Sequence, residues 1–218
     1  MRTALVTGGT VRLGKVIAET LRARGWRVLT VSHRADAGAD LVADLSRPFG
    51  APALYSRVLS MLGGEPPDAL VNNAALYTGA DDAAIMNLNF ESPKKLTMLM
   101  AGRETGRGAV VNILDSAVLN ASAADCAESS YLKSKYELLA FTHKAAAMFA
   151  DTLNVSAVAP GPVLPPAGFH LKAPPLPGVR PTPEGVAEAV AFLLSANSVT
   201  DAVLPVDGGE SVARGFAR

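Results

Sequence analysis

TALVTGGTVRLGKVIAETLRARG, residues 3–25, carries the first decisive pattern in the chain. TALVT (3–7) is a short apolar run suited to a buried strand. RLGKVIAETLRARG (12–25) places its apolar residues at helical spacing and ends on Gly25, a residue type that caps helices. Between them lies TGGTVRLG (7–14), rich in glycine at Gly8, Gly9 and Gly14. Glycine permits positive φ and lets a ligand approach the backbone. The helix N-terminus adds open N–H groups and the positive end of a dipole, which suits a pyrophosphate. The spacing is not the common G-x-G-x-x-G, and plain tight turns also use glycine this way. Arg12 is the odd member, a cation in a loop otherwise poor in long polar side chains.

The same alternation continues outward. WRVLTVS (26–32), LVADL (41–45), ALVNNA (69–74), AVVNIL (109–114), NVSAVAP (154–160) and AVLPVD (202–207) read as strands. Residues 51–62, 81–102, 129–150 and 184–195 read as helices between them. Strands apolar on both faces, separated by helices, predict a parallel sheet covered on both sides. The expected fold is therefore α/β: a Rossmann-like doubly wound parallel sheet in three layers, one domain over 1–218. Such sheets bind ligands beyond the carboxyl ends of their strands. Gly8, Arg34, Asp44, Asn73, Asp115 and Gly161 all fall there. GPVLPPAGFHLKAPPLPGVRPTP (161–183) is too rich in proline for a long helix or a central strand. It is expected to be a loop shaping a substrate pocket, and its His170 reads as incidental.

Composition bounds the function. The chain has 218 residues, 49% hydrophobic and 18% charged, an ordinary globular balance. Lys+Arg and Asp+Glu are both 20, so nothing points to nucleic acid. No apolar run approaches the roughly 18–20 residues of a membrane span. MRTALVTGG enters a glycine turn too soon for a secretory signal. With one cysteine, Cys126, no intrachain disulfide can form, and a cytoplasmic location is expected.

Two further stretches carry chemistry. VSHRAD ends the second strand, where a carboxylate would grip the ribose 2′-OH of NAD. Ser32, His33 and Arg34 stand there instead, and a hydroxyl, an imidazole and a guanidinium suit a 2′-phosphate. The alternative is a solvated loop with an incidental arginine; Asp36 lies late for the ribose. YLKSK places Tyr131 and Lys135 at i and i+4 on one helix face. A nearby ammonium is expected to favour the phenolate and bring a tyrosine down from about 10. Tyr131 could then protonate a carbonyl oxygen as a hydride reaches the carbon. By itself, Tyr-x-x-x-Lys is common on helices.

Taken together, TGGTVRLG, ADL at Asp44, NNAA (72–75), Asn89 in MNLNF, YLKSK, APGP (159–162) and PVDGG (205–209) resemble the short-chain dehydrogenase/reductases over almost the full length. The resemblance implies an NAD(P)-dependent oxidoreductase with small-molecule substrates, commonly a homotetramer, with no metal site. It makes Tyr131 and Lys135 the catalytic core, with Asn89 supporting a proton relay. It assigns Gly8, Thr10, Arg12, Leu13, Gly14, Ser32, His33, Arg34, Asp44, Leu45, Asn73, Ala74, Lys135, Pro160 and Gly161 to the cofactor.

Two departures resemble one subgroup, the pteridine and dihydromonapterin reductases. The usual loop has glycine where Arg12 stands, and in that subgroup the arginine reaches pyrophosphate and substrate. The usual catalytic serine after the fifth strand is replaced in NILDS by Asp115, or else its counterpart is Ser116. Asp115 lies sixteen positions before Tyr131 where the family spacing is roughly thirteen, so both assignments stay open. Tyr77 matches an aromatic that stacks on a flat substrate, though a partly buried loop tyrosine would look the same. NADPH and a pterin-like heterocycle are therefore expected. The rival readings are a general carbonyl or 3-oxoacyl carrier-protein reductase, and a non-catalytic NADP-binding sensor.

Overall fold

The computed structural model describes residues 1–77, 80–104, 106–127, 129–164 and 180–216. Seven strands form one sheet: β1 (Thr3–Thr7), β2 (Arg27–Ser32), β3 (Leu41–Val42), β4 (Ala69–Asn72), β5 (Gly108–Ile113), β6 (Leu153–Pro160) and β7 (Val203–Val206). Their order is β3-β2-β1-β4-β5-β6-β7, and every pairing is parallel. All residues of β1, β4 and β6 are buried, as strands covered on both faces require. The chain is thus a single doubly wound domain.

Helices α1 (Arg12–Ala23) and α7 (Pro183–Ser195) pack together on one face. Their Ile17, Leu21, Val186 and Val190 meet Val6, Val71 and Val158 of the sheet. The other face is covered by α2 (Gly50–Met61), α4 (Ser92–Ala101) and α6 (Ser130–Met148). There Leu54, Leu96 and Leu138 close over Leu5, Leu70, Val110 and Val155. Alternate residues of one strand therefore serve two separate cores. Shorter helices complete the chain: α3 (Asp82–Met86), α5 (Ala123–Ala127) and α8 (Glu210–Phe216).

Three expectations change in detail. The strand read at 41–45 is only Leu41–Val42, because the chain leaves the sheet edge and Asp44 turns back onto Ser46. The helix read over 81–102 is α3 and α4 joined by a π-helical turn, Asn87–Glu91. LNASAADCAES (119–129), expected to be a loop that takes up the extra residues before Tyr131, holds α5, and a 3-10 turn (Ser116–Val118) precedes it. Of 161–183, positions 165–179 lie outside the described residues, and His170 with them. At its end, Thr182 caps α7 by accepting from the Gly185 N–H, and Pro183 takes the first helical turn.

Candidate active site

The order β2-β1-β4-β5 sets the turns after these strands side by side at the carboxyl edge of the sheet. Thr7, at the end of β1, binds them together. Its hydroxyl accepts from the N–H groups of Asn73 and Ala74, each at 3.0 Å, and donates to the Val71 carbonyl. Asn73 Nδ2 returns to the Thr7 carbonyl at 2.9 Å. Gly8 turns there with φ +64, and a Cβ on it would lie 3.1 Å from Ala74 Cα. A Cβ on Gly14 would overlap the Gly8 carbonyl oxygen and Asn73 Nδ2. The glycines thus allow the β1 turn, the start of α1 and the β4 turn to close on one another.

The N-cap of α1, Val11, makes no side-chain hydrogen bond, and the first turn holds no acidic residue. By contrast, Asp81, Ser129 and Thr182 cap α3, α6 and α7 with side chains. The N–H groups at the start of α1 therefore face the cleft without a side-chain cap. Arg12 begins that helix at φ +50 and donates a long hydrogen bond, 3.4 Å, to the Leu164 carbonyl.

The cleft over this edge measures about 930 Å³, within the range of a sizeable ligand site. At one end it is lined by Ser32, His33, Arg34, Asp44 and Leu45; in the middle by Gly8, Thr10, Arg12, Leu13 and Gly14; beyond them by Asn73, Ala74, Pro160 and Gly161. Tyr77, Asp115, Tyr131 and Lys135 line its far end. Ala37 and Ser46 also line it and had no motif to mark them. Thr7 was missed too, since only the three-dimensional approach of β4 gives its hydroxyl a task.

Asp115 and Ser116 separate here. Asp115 ends β5's loop in an extended conformation, and its Oδ1 caps the 3-10 turn by accepting from the Ala117 N–H. Its Oδ2 accepts the Tyr131 hydroxyl at 2.9 Å. Ser116 is buried and does not line the cleft. The structure therefore brings the carboxylate, not Ser116, to Tyr131, with the surplus residues accommodated in the following turn and α5. Tyr77 stands edge-on to Tyr131, with ring centroids 4.8 Å apart and planes at 75°.

The electrostatics correct one expectation. Tyr131 does not titrate below an ordinary phenol; burial, then the Asp115 charge and hydrogen bond, push it well above 10. Lys135 is fully enclosed, and its Nζ donates to the Ile113 carbonyl at 2.7 Å. It sits 5.9 Å from the Tyr131 ring centroid. Burial pushes Lys135 down to about 8, with Asp115 lifting it in part.

Asn89 sits in the π turn and is fully buried. Its Oδ1 accepts from Leu76 N–H, and its Nδ2 donates to the Leu76 carbonyl, both at 2.8 Å. The same Nδ2 donates to Ser134 Oγ at 3.0 Å, and Ser134 Oγ donates to the Tyr131 carbonyl. Asn89 thus reaches the site through Leu76 and α6 and does not itself line the cleft. At the other end, Arg34 is paired with Asp36, while Asp44 accepts from Ser46. Asp207 receives the N–H groups of Gly209 and Ser211 in a buried turn packed on Gly161. Among the described residues no group of three His, Cys, Asp or Glu side chains could hold a metal, and no helix is long and apolar enough to cross a membrane.

A parallel doubly wound sheet with a glycine cradle at the turn after β1 and a Tyr–Lys pair on α6 beside the same cleft is the frame of a dinucleotide-binding oxidoreductase. The chain belongs to the short-chain dehydrogenase family, whose sequence model matches residues 2–172. It is 33% identical to an uncharacterized oxidoreductase, YmfI, of Bacillus subtilis, over 95% of this chain and 98% of that one. It is 26% identical to the 3-oxoacyl-[acyl-carrier-protein] reductase FabG of Vibrio cholerae, over 95% and 96% of the two chains. Among solved structures it is similar to FolM alternative dihydrofolate reductase 1 from Brucella canis complexed with NADP, at 28% identity and TM-score 0.81, covering 97% of this chain and 94% of that one.

Proposed function

We propose that this protein is an NADPH-dependent reductase that delivers a hydride to a C=N or C=O carbon of a pterin-like heterocycle. One observation carries the reading: the Asp115 carboxylate holds the Tyr131 hydroxyl at 2.9 Å, with Tyr77 beside it. The similarity to an alternative dihydrofolate reductase complexed with NADP supports the same substrate class and cofactor.

The residues present fit a dinucleotide. The glycine cradle and the open start of α1 suit a pyrophosphate, with Arg12 as a cation beside it. Arg34 and Ser32 would meet a 2′-phosphate, Asp44 and Leu45 the adenine side, and Lys135 with Asn73, Ala74, Pro160 and Gly161 the nicotinamide half. When bound, the cofactor supplies the hydride. Tyr131, whose proton is retained well above neutrality, is placed to give it to the substrate heteroatom. Asp115 orients that hydroxyl and offers an acceptor to ring N–H groups. Tyr77 presents an aromatic face to a flat ring. The loop at 161–183 would shape the substrate pocket, the protein would assemble as a homotetramer, and it would work in the cytoplasm.

NADPH oxidation measured in parallel with dihydropterins, dihydrofolate and acetoacetyl thioesters tests this. The pterin ring compounds are expected to be turned over with the highest kcat/KM. Preference for the thioesters would replace the reading by the carrier-protein reductase that the Vibrio relative illustrates. Turnover of none, with NADPH bound, would leave the sensor.

A further inference from the structure

Strand β2 ends at Ser32, and the chain turns through His33 and Arg34 into a 3-10 turn, Ala35–Ala37, stopped by Gly38 at φ +64. The Arg34 N–H donates to Ser32 Oγ at 3.1 Å, which fixes the start of the turn. Two residues on, Asp36 comes back over the arginine. Arg34 Nε donates to Asp36 Oδ1 at 3.0 Å and Nη2 to Oδ2 at 2.7 Å. This is the side-on, two-bond geometry that a guanidinium also offers to a phosphate. Arg34 lines the cleft and Asp36 does not. Both side chains are largely exposed, 62% and 70%, so no packing locks the pair.

We propose that Asp36 is a specificity-determining residue: a built-in competitor that occupies the Arg34 fork and sets how strongly the protein prefers a 2′-phosphorylated cofactor. The proposal rests on the reading that Arg34 receives the 2′-phosphate. A dianionic phosphate meeting Arg34 alone would meet a single positive charge. Meeting the Arg34–Asp36 pair, it meets no net charge. It must either displace the carboxylate or take the remaining guanidinium edge with a carboxylate on the other. Both routes cost the phosphate and neither costs a neutral ribose hydroxyl. Holding one exposed arginine in place returns little against that repulsion. Asp36 stays ionised, because the Arg34 hydrogen bonds and charge hold it below the usual carboxylate range. The carboxylate therefore lowers affinity for NADPH and leaves NADH alone.

Asp36→Asn keeps the size of the side chain and removes its charge. Dissociation constants for NADPH, NADH, adenosine 2′,5′-bisphosphate and 5′-AMP, measured by titration calorimetry, decide the matter without any turnover. For the two 2′-phosphorylated ligands, Asp36→Asn is expected to tighten binding about two- to fivefold, the scale of one exposed ion pair. NADH and 5′-AMP should not change. In an Arg34→Ala background the same substitution should give less than half of that gain on a logarithmic scale, since only through-space repulsion is then relieved. Weaker NADPH binding would show that Asp36 positions Arg34, and would overturn the proposal. Weaker NADH binding would place the carboxylate on the ribose hydroxyls, and would overturn it as well. An equal gain with and without Arg34, or no gain at all, does the same. The reading of Arg34 is checked separately in the same series: Arg34→Ala should cost the bisphosphate about ten- to a hundredfold, as for a charge-assisted bond. If that loss is seen while Asp36→Asn does nothing, the competitor alone is wrong. If Arg34→Ala is silent, both fall.

Discussion

Burial of Lys135 has opposite consequences for activity and for stability. Its pKa is pushed down to about 8 from an ordinary 10.5. The folded protein therefore loses this proton as pH rises through about 8, while an unfolded chain keeps it until about 10.5. Between these values the unfolded state binds more protons, so the Lys135 contribution to stability rises with pH. On the proposed function activity should move the other way, because a neutral amine would no longer support a negatively charged cofactor. kcat/KM for NADPH, which reports groups of the free enzyme, should fall with a basic limb near pH 8. Melting temperature should not fall between pH 8 and 9: the raised Cys126 thiol, ordinarily near 9, begins there to favour the unfolded state but offsets only part of the Lys135 gain, and the raised Tyr55 and Tyr131 act only at higher pH. An activity profile flat to pH 9.5, or parallel loss of activity and fold, would refute this. The residues involved were legible in unequal measure. Gly8 and Gly14 announce themselves because only glycine fits where a Cβ would strike Ala74 or the Gly8 carbonyl. The spacing of Tyr131 and Lys135 is also plain, but spacing on a helix does not tell how deeply the fold buries either group. It says nothing of a carboxylate arriving from β5, and burial together with that carboxylate raises Tyr131.

Among the elements, the π turn at Asn87–Glu91 matters most to the site. A π turn inserts one extra residue into a helix, and such bulges gather at functional places. It carries Asn89 inward, under the loop that follows β4. Both amide atoms of Asn89 hold the backbone of Leu76, and Tyr77 comes next, edge-on to Tyr131. Asn89→Ala would leave the Leu76 N–H and carbonyl unpaired at a partly buried place. The expected cost is about 1–3 kcal/mol, read from chemical denaturation. Loosening Tyr77 should raise the substrate KM more than it lowers kcat. A loss confined to kcat, with stability and KM unchanged, would make Asn89 part of the proton path instead of a support. Periodicity could not reveal this turn: MNLNF fits an α-helix nearly as well, and one extra residue shifts the apolar face only slightly. Strand β3 shows a related limit. LVADL has strand-like composition throughout, yet only Leu41 and Val42 pair with β2, because nothing beyond them offers an edge. Asp44 instead satisfies itself with Ser46.

For the molecule as a whole, the alternation of apolar runs and amphipathic segments made the parallel, doubly covered sheet readable, while strand order was not, since order depends on which side each crossover takes. The observed order reverses direction between β1 and β4, and ligands bind at such a switch point. Arg12 spans it. It lies in the turn after β1, yet its guanidinium reaches Leu164, 152 residues along the chain in the segment after β6. The backbone there is left-handed, φ +50, which for a residue with a side chain costs about 1–2 kcal/mol. A glycine, present at this place in the common family loop that the sequence resembles, would not bear that cost. A strained position held by a long cationic side chain directs attention to what the cation does. On the proposed function it stands between the pyrophosphate and the substrate ring. Arg12→Gly should therefore leave the melting temperature level or slightly higher, since relief of strain is offset by the flexibility glycine adds to the unfolded chain. NADPH binding should weaken. At saturating NADPH, the KM for a dihydropterin should rise while that for a simple ketone, which does not extend to Arg12, stays near its original value. A pocket that loses a hydrogen-bonding partner discriminates against the molecule that used it. Kinetics with both substrates decide the point: a pterin-to-ketone selectivity ratio unchanged by the substitution would confine Arg12 to the cofactor, and a lowered melting temperature would show that its contact with Leu164 stabilises the fold more than its backbone strains it.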